Sequence, residues 1–264
     1  MAATKREREY ARKRQEKWDQ RRAQARARRQ RTIAIVAIVA VLALVGGGLV
    51  VANLGNAADP AASADSPTPQ AAGDCPAAST GARSGGDLPD PSAAQDRTWT
   101  ATLDMCAGGV ESQVVLDLDG AAAPQAVASF VSLADEGYYD DTACHRLTTS
   151  GIYVLQCGDP TGTGSGDPGY SYGPIENAPD DDVYPAGTVA MARRGGDGES
   201  MGSQFFVVYQ DSTIPSDTAG GYTVLGTVTS GLDAVQAVAD EGVEGGAGDG
   251  SPQTPVIIEG VETQ

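Results

Sequence analysis

His145 is the single histidine among the 264 residues, and it limits the chemistry open to this chain. A Ser-His-Asp or Cys-His mechanism would have to use this side chain as its general base. His145 lies beside Arg146 in a strand-like run, and a fixed positive charge next to the imidazole disfavours proton acceptance. Hydrolysis by a histidine-dependent triad is therefore a poor fit to the sequence.

Metal, dinucleotide and glycosidase chemistry lack their usual residue patterns. The four cysteines are scattered without a C-x-x-C motif, which makes a poor zinc site beside one histidine. The glycines at 164, 166 and 169 satisfy G-x-G-x-x-G, but they lead into YSYGPIENAP rather than a helix, so we interpret them as a turn-rich loop. Acidic clusters such as residues 180–182 are typical of a solvated surface. We predict no metal and no cofactor.

Four short blocks hold the other side chains that could act together. They are CHRL at 144–147, IYVLQCGD at 152–159, MAR at 191–193 and GSQFF at 202–206. In order and spacing they resemble the cyclophilin family of peptidyl-prolyl isomerases, and YTVLGTV at 222–228 fills the place of a late strand in that family. The resemblance extends over about residues 99–261, and together with the apolar segment described below it indicates a membrane-anchored bacterial, actinobacterial-like form.

The resemblance implies catalysis of prolyl isomerisation. Amide resonance gives the peptide bond a barrier of about 18–20 kcal/mol, so X-Pro bonds exchange over roughly tens to hundreds of seconds unaided. Catalysis needs a pocket for the proline ring, a grip on the flanking carbonyl, and a cation that hydrogen-bonds the prolyl nitrogen as it loses conjugation. By the resemblance, Arg146 is the catalytic cation, Gln156 orients the substrate carbonyl, and Phe206 forms the floor of the pocket.

The resemblance also implies a set of substrate-binding residues, and this sequence departs from the family in places. Tyr222 falls where many members have a histidine that borders the proline ring. Cys144 replaces the usual aromatic residue before His145, and the loop between the first two blocks is two residues longer. No aromatic groove residue is evident in STIPSDTAGG at 212–221, which puts binding of the family's cyclic-peptide inhibitor in doubt. The substrate-binding residues implied are Tyr153, Val154, Ala192, Arg193, Gln204 and Tyr222.

Short apolar runs bounded by Gly, Asp and Pro predict a mainly β domain. The predicted strands are TWTATLDM, QVVLDLD, ACHRL, IYVLQC, GTVAMA, SQFFVVY, YTVLGTV and PVIIEGV. Residues 124–136 and 232–240 break this pattern with helical periodicity, and the first places four apolar residues on one face. We predict a closed antiparallel eight-stranded barrel, of the cyclophilin type, with two capping helices.

The N-terminal 52 residues predict a membrane anchor. Residues 32–52 contain no charged side chain, and a helix of 21 residues spans about 31 Å, enough for a bilayer core of about 30 Å. A cleaved signal peptide is the alternative, but its basic region would be unusually long. Residues 1–31 carry 13 basic and 4 acidic side chains, so the positive-inside rule places the N-terminus in the cytoplasm and residues 53–264 outside.

The remaining chain divides into a tether and a domain. Residues 53–98 are rich in Ala, Pro, Ser and Gly with few large apolar side chains, which predicts a flexible tether. Residues 99–264 form the predicted isomerase domain and carry three arginines, no lysine and 25 carboxylates. The basic N-terminal segment could attract anionic lipid or nucleic acid, but we interpret it as the cytoplasmic flank of the anchor and expect no nucleic-acid partner.

An even number of cysteines in a segment placed outside the cell predicts disulfides. Cys144 and Cys157 flank what the resemblance makes a hairpin, and we hypothesise that they pair. Cys75 would then pair with Cys106 and tie the tether to the domain.

The sequence is compatible with two functions. The leading hypothesis is a prolyl isomerase at the cell membrane, acting on proline-containing peptides and unfolded exported proteins. The alternative is a non-catalytic module of the same fold that binds proline-containing segments of a partner.

Overall fold

The computed structural model of the chain describes residues 75–264. The predicted basic segment 1–31, membrane span 32–52 and first part of the tether lie outside the described residues. Within residues 75–264, no helix combines the length and the apolar composition that a membrane crossing requires.

The described chain begins its sheet with a hairpin. Strand β1 (Thr98–Ala107) pairs with β2 (Val110–Asp119) along their full lengths. Gly108 and Gly109 form the two-residue turn, and both have positive φ angles, of 56° and 82°. A tight hairpin turn of this kind requires that conformation, which glycine adopts without steric cost.

Ten further strands follow, and all strand pairings within residues 75–264 are antiparallel. They are β3 (Thr142–Ala143), β4 (Arg146–Thr148), β5 (Val154–Cys157), β6 (Val183–Tyr184), β7 (Thr188–Met191), β8 (Phe205–Val208), β9 (Ser212–Thr213), β10 (Val224–Ser230), β11 (Asp249–Gly250) and β12 (Val256–Thr263). Strands β6 and β9 form a small separate sheet, and the other ten form one sheet.

The predicted closed, eight-stranded barrel is wrong in its strand number and its closure. The main sheet has ten strands in the order β11-β4-β5-β8-β7-β10-β2-β1-β12-β3, so its two ends are not hydrogen-bonded to each other. The run ACHRL, predicted as one strand, is split between β3 and β4. The chain leaves its partner β12 at Ala143 and joins β5 at Arg146, which puts consecutive segments near opposite ends of a curled sheet.

Both predicted helices are confirmed. Helix α1 (Pro124–Asp135) begins with a proline in its first turn, where the missing N–H costs no hydrogen bond. Helix α2 (Leu232–Glu241) buries Val235 and Val238. The four apolar residues that the helical period placed on one face of α1 are all buried: Val127, Phe130, Val131 and Ala134.

The core is divided by the sheet into two apolar clusters. The larger cluster packs α1 and α2 against one face, and Phe130, Tyr139 and Phe205 form an aromatic group at its centre with ring centroids 5.1–5.7 Å apart. The smaller cluster contains Phe206 and Val154 and lies apart from the first. Alternation along a strand explains the division, because the adjacent residues Phe205 and Phe206 point to opposite faces.

Residues 75–97, which the sequence analysis assigns to the flexible tether, make specific contacts with the domain instead. Arg83 donates hydrogen bonds from Nη1 to the carbonyl oxygens of Gly137 and Tyr138, at 3.2 and 2.9 Å. Gly85 lies so close to Leu133 that a side chain at this position would clash. The low apolar content of this segment gave no indication of the packing, because hydrogen bonds to the backbone and a disulfide hold it in place rather than the burial of large side chains.

Both hypothesised disulfides are confirmed. Cys75 is bonded to Cys106 at the end of β1, and Cys144 is bonded to Cys157 at the end of β5, with Cα atoms 5.6 and 4.0 Å apart. The second bond joins the segments on either side of the β4–β5 pair, and both of its cysteines are buried in the larger cluster.

Candidate active site

The three predicted catalytic residues lie in one row across three neighbouring strands. Arg146 of β4 is opposite Gln156 of β5, and Gln156 is opposite Phe206 of β8. Directly opposed residues of a sheet project their side chains to the same face. The register of β4, β5 and β8 therefore brings together three residues that are distant in the chain.

These side chains border a cavity of about 170 Å³ above the smaller apolar cluster. Phe206 is 5% exposed and forms its floor, and the ring of Tyr222 stands edge-on to it with centroids 5.6 Å apart. The cavity combines an apolar base with the guanidinium of Arg146 at its border. Its lining residues are Arg146, Ile152, Val154, Gln156, Ala192, Arg193, Phe206, Ile214 and Tyr222.

A chain of hydrogen bonds fixes the polar side of the cavity. Arg146 donates from Nη1 to Oε1 of Gln156 at 3.2 Å, and Gln156 donates from Nε2 to Oε1 of Gln204 at 2.9 Å. Gln204 in turn donates from Nε2 to the carbonyl oxygens of Gly164 and Gly166. Each amide is thus held in one orientation, and the second N–H of Gln156 has no acceptor among residues 75–264.

Arg146 is paired on its other side with Asp249 of β11. The two side chains are hydrogen-bonded through both carboxylate oxygens, with 2.7 Å between donor and acceptor in each bond. The hydrogen bonds and charge of Asp249 raise the pKa of Arg146, and those of Arg146 lower the pKa of Asp249. No signal in the sequence indicates Asp249, because β11 lies in the glycine-rich stretch GGAGDGS, which has no periodic pattern.

Arg193 lines the cavity, but its guanidinium is committed to protein contacts. Its side chain is fully buried, pairs with Asp217 at 2.9 Å, and donates to the carbonyl oxygens of Gly220 and Gly221. The guanidinium carbon lies 4.7 Å from the ring centroid of Tyr222. Arg193 therefore supports Tyr222 and the loop before it, and it presents little hydrogen-bonding capacity to a bound peptide.

A second cavity of about 160 Å³ adjoins the first and shares Gln156, Ala192 and Arg193 with it. Gln204, which the resemblance places in the peptide groove, borders this second cavity together with Asp167. The position suits residues of a peptide that flank the proline.

Tyr153 is the one predicted site residue that does not border either cavity. It packs against the larger cluster and against Tyr209, with ring centroids 6.0 Å apart. Ile152 and Ile214 line the first cavity in its place, and neither is among the predicted site residues. Alternation along residues 152–156 could have identified Ile152, because residues 152, 154 and 156 share one face and residue 153 points away.

His145 is close to the site but plays no evident part in its hydrogen bonding. Within residues 75–264, both ring nitrogens are buried without a hydrogen-bond partner. Burial lowers the pKa of His145 and the positive charge of Arg146 lowers it further, whereas the carboxylate of Asp159 opposes the shift. The lowered pKa makes this imidazole a weaker base than an ordinary histidine, and neither ring nitrogen is hydrogen-bonded to a residue of the cavity.

This buried imidazole predicts a pH dependence of stability. Between the ordinary histidine pKa of about 6.5 and its lower value in the folded state, the unfolded chain binds a proton that the folded chain does not. The free energy of unfolding should therefore fall as the pH drops below about 6.5. Urea titrations from pH 7.5 to 5 on the wild type and His145→Gln would measure it: the wild type should lose more stability than the variant, and parallel curves would contradict the prediction.

Comparison with known proteins agrees with this geometry. The family model for cyclophilin type peptidyl-prolyl cis-trans isomerase/CLD matches residues 102–263, more than half of the chain. The chain belongs to this family. The matched region of this cyclophilin includes every residue that borders the two cavities.

Two curated relatives of this cyclophilin come from mycobacteria. It is 40% identical over 181 residues to the probable peptidyl-prolyl cis-trans isomerase B of Mycobacterium leprae, covering 64% of this chain and 59% of the relative. It is 44% identical over 163 residues to the protein of the same name from Mycobacterium tuberculosis, covering 57% of this chain and 51% of the relative. The cyclophilin therefore spans between half and two thirds of the length of these relatives.

A solved structure shares the fold. A cyclophilin type peptidyl-prolyl cis-trans isomerase of Cryptosporidium parvum, determined in the presence of the dipeptide Ala-Pro, superposes with a TM-score of 0.51 at 24% identity. The match covers 62% of this cyclophilin and 98% of that chain. Together with the family match, it makes the observed architecture a cyclophilin-like fold: mainly β, with a curled antiparallel sheet and two helices.

Proposed function

We propose that this chain catalyses cis-trans isomerisation of X-Pro peptide bonds. The observation that carries the proposal is the position of Arg146, whose guanidinium borders an apolar cavity with Phe206 as its floor. The proline ring enters the apolar cavity, and the polar row of Arg146 and Gln156 faces the peptide bond that rotates. Family membership supports the same activity.

Catalysis follows from the change in electron distribution as the bond rotates. The prolyl nitrogen loses conjugation with the carbonyl, becomes pyramidal and can accept a hydrogen bond from Arg146 in the transition state. Gln156 donates its free N–H to the flanking carbonyl and holds the peptide as the bond turns. A rate enhancement of about 10⁴-fold requires only about 5–6 kcal/mol of transition-state stabilisation, which one well-placed guanidinium and a shaped pocket can supply.

The substrates we propose are proline-containing peptides and unfolded exported proteins, with the enzyme held at the cell membrane by residues 32–52. Apolar residues 32–52 and the basic flank before them support an N-terminus in the cytoplasm and a catalytic domain outside. Two disulfides support the same placement, since such bonds persist in oxidising compartments. The mycobacterial relatives support an actinobacterial-like form.

The activity test uses the purified full chain in detergent and a short peptide with one X-Pro bond. Exchange between the cis and trans forms, followed by two-dimensional NMR, should become faster at catalytic amounts of protein. Peptide binding without faster exchange would instead support the alternative, a module that binds proline-containing segments. Topology is tested separately by protease treatment of intact cells, which should degrade the domain and spare the N-terminus.

A further inference from the structure

The guanidinium of Arg146 is hydrogen-bonded by a carboxylate that lies outside the four sequence blocks that carry the resemblance. We propose that Asp249 is a positioning residue for Arg146, and that it sets which edge of the guanidinium faces a bound peptide. The proposal rests on the function proposed above, in which Arg146 donates to the prolyl nitrogen.

Three of the five N–H groups of the Arg146 guanidinium donate hydrogen bonds to other side chains. Nε donates to Oδ1 of Asp249 and Nη2 donates to Oδ2, both at 2.7 Å, while Nη1 donates to Gln156 at 3.2 Å. One N–H bond on each Nη atom has no acceptor among residues 75–264. These two donors are the ones that a peptide in the cavity can meet, because the opposite edge of the planar group is occupied by Asp249.

Strand pairing also positions the carboxylate of Asp249 beside Arg146. Strand β11 is the end strand of the main sheet and pairs with β4, where Asp249 is opposite Thr148 and Gly250 is opposite Leu147. Arg146 is two residues from Thr148 and therefore on the same face of the sheet as Asp249, at a diagonal position within reach of long side chains. A further backbone bond, from the N–H of Thr149 to the carbonyl of Gly248, closes this end of the pair.

The pair is better suited to orienting a side chain than to stabilising the fold. The side chains of Arg146 and Asp249 are 40% and 54% exposed, and exposed ion pairs contribute little to stability. The bidentate geometry, in contrast, restricts both the plane and the position of the guanidinium. Without Asp249, only the single bond to Gln156 would hold the cation, and the long side chain could move into solvent.

Substitution of Asp249 in the full chain tests the proposal. Asp249→Ala should lower kcat for an X-Pro peptide by about 10- to 100-fold with KM changed less than about twofold, since a small displacement of a reacting group is costly. Asp249→Glu should recover part of the lost kcat, because the carboxylate is retained. The urea midpoint of Asp249→Ala should stay at the wild-type value.

A matched control and a second measurement complete the test. Asp104→Ala removes another strand carboxylate, one bonded to Gln113 in the β1–β2 hairpin, and should leave kcat unchanged. The Nε–H resonance of Arg146, identified by its loss in Arg146→Lys, should exchange slowly in the wild type and rapidly in Asp249→Ala. Wild-type kcat in Asp249→Ala, or an unchanged Nε–H exchange rate, would overturn the proposal. If the wild type lacks isomerase activity, the function proposed above fails, and the exchange rate still decides whether Asp249 holds Arg146.

Discussion

Replacement of Arg146 by alanine is expected to lower kcat/KM for an X-Pro peptide by about 10²- to 10³-fold. Removal of one donor that stabilises developing charge in a transition state typically costs this much. The guanidinium of Arg146 borders the apolar cavity, and two of its five N–H groups have no acceptor among residues 75–264. The loss should appear mainly in kcat, because the apolar pocket that binds the proline ring remains.

The measurement is cis-trans exchange of a peptide with one X-Pro bond, on folded wild type and variant. Arg97→Ala is the matched control: it also removes one arginine, from a position over the ring of Trp99, and should retain wild-type kcat/KM. Arg146→Lys should not restore activity, since lysine keeps the charge but loses the planar fork that Asp249 and Gln156 hold. Activity within threefold of wild type in Arg146→Ala would contradict the proposed mechanism.

Removal of the Cys144–Cys157 disulfide is expected to lower the free energy of unfolding by about 3 kcal/mol. The bond links cysteines separated by 13 positions, and a loop of this size gives a chain-entropy contribution of that order. We also expect kcat to fall, because Cys144 is two residues before Arg146 and Cys157 directly follows Gln156. The double variant Cys144→Ala/Cys157→Ala, unfolded in urea without reductant, measures the first effect, and peptide exchange measures the second.

The other disulfide supplies the control for this experiment. Cys75→Ala/Cys106→Ala removes a bond across 31 positions and should also lower stability, but it should leave kcat unchanged because neither cysteine adjoins the site. If both double variants lose stability and only Cys144→Ala/Cys157→Ala loses kcat, the effect of the Cys144–Cys157 bond on the site is separate from its effect on stability. A Cys144→Ala/Cys157→Ala protein that unfolds at the wild-type urea concentration would contradict the prediction.

Periodicity in the sequence predicts the secondary structure well and the sheet less well. Each predicted strand overlaps an observed one, and both helices lie where the 3.6-residue pattern placed them. The pattern indicates which face of a segment is buried, but it does not indicate which strand the segment pairs with. For this reason it could not show that the chain changes partners between Ala143 and Arg146. Strands of two residues, such as β11, are too short to give any pattern.

The same contrast applies to the site: the sequence indicates which residues belong to it but not how they are arranged. The resemblance predicts Arg146, Gln156 and Phe206 as site residues, and the structure places them in one row that only the strand register could establish. It also predicts that Tyr153 lines the pocket, although the alternation along residues 152–156 turns that side chain toward the larger cluster. Asp249 is 103 positions from Arg146, and no local signal connects them. Long-range contacts of this kind depend on topology, which periodicity alone does not determine.

The disulfide between Cys75 and Cys106 gives the domain a particular response to mechanical force. A pull on the chain ahead of Cys75 would pass through the sulfur bridge directly into β1, which is hydrogen-bonded to β2 on one side and β12 on the other. Residues 76–97, which include Arg83 and its contacts, would carry none of this force. Reduction of this one bond would place the load on residues 76–97 ahead of β1, roughly 75 Å of chain when fully extended, and make those weaker contacts the first to break.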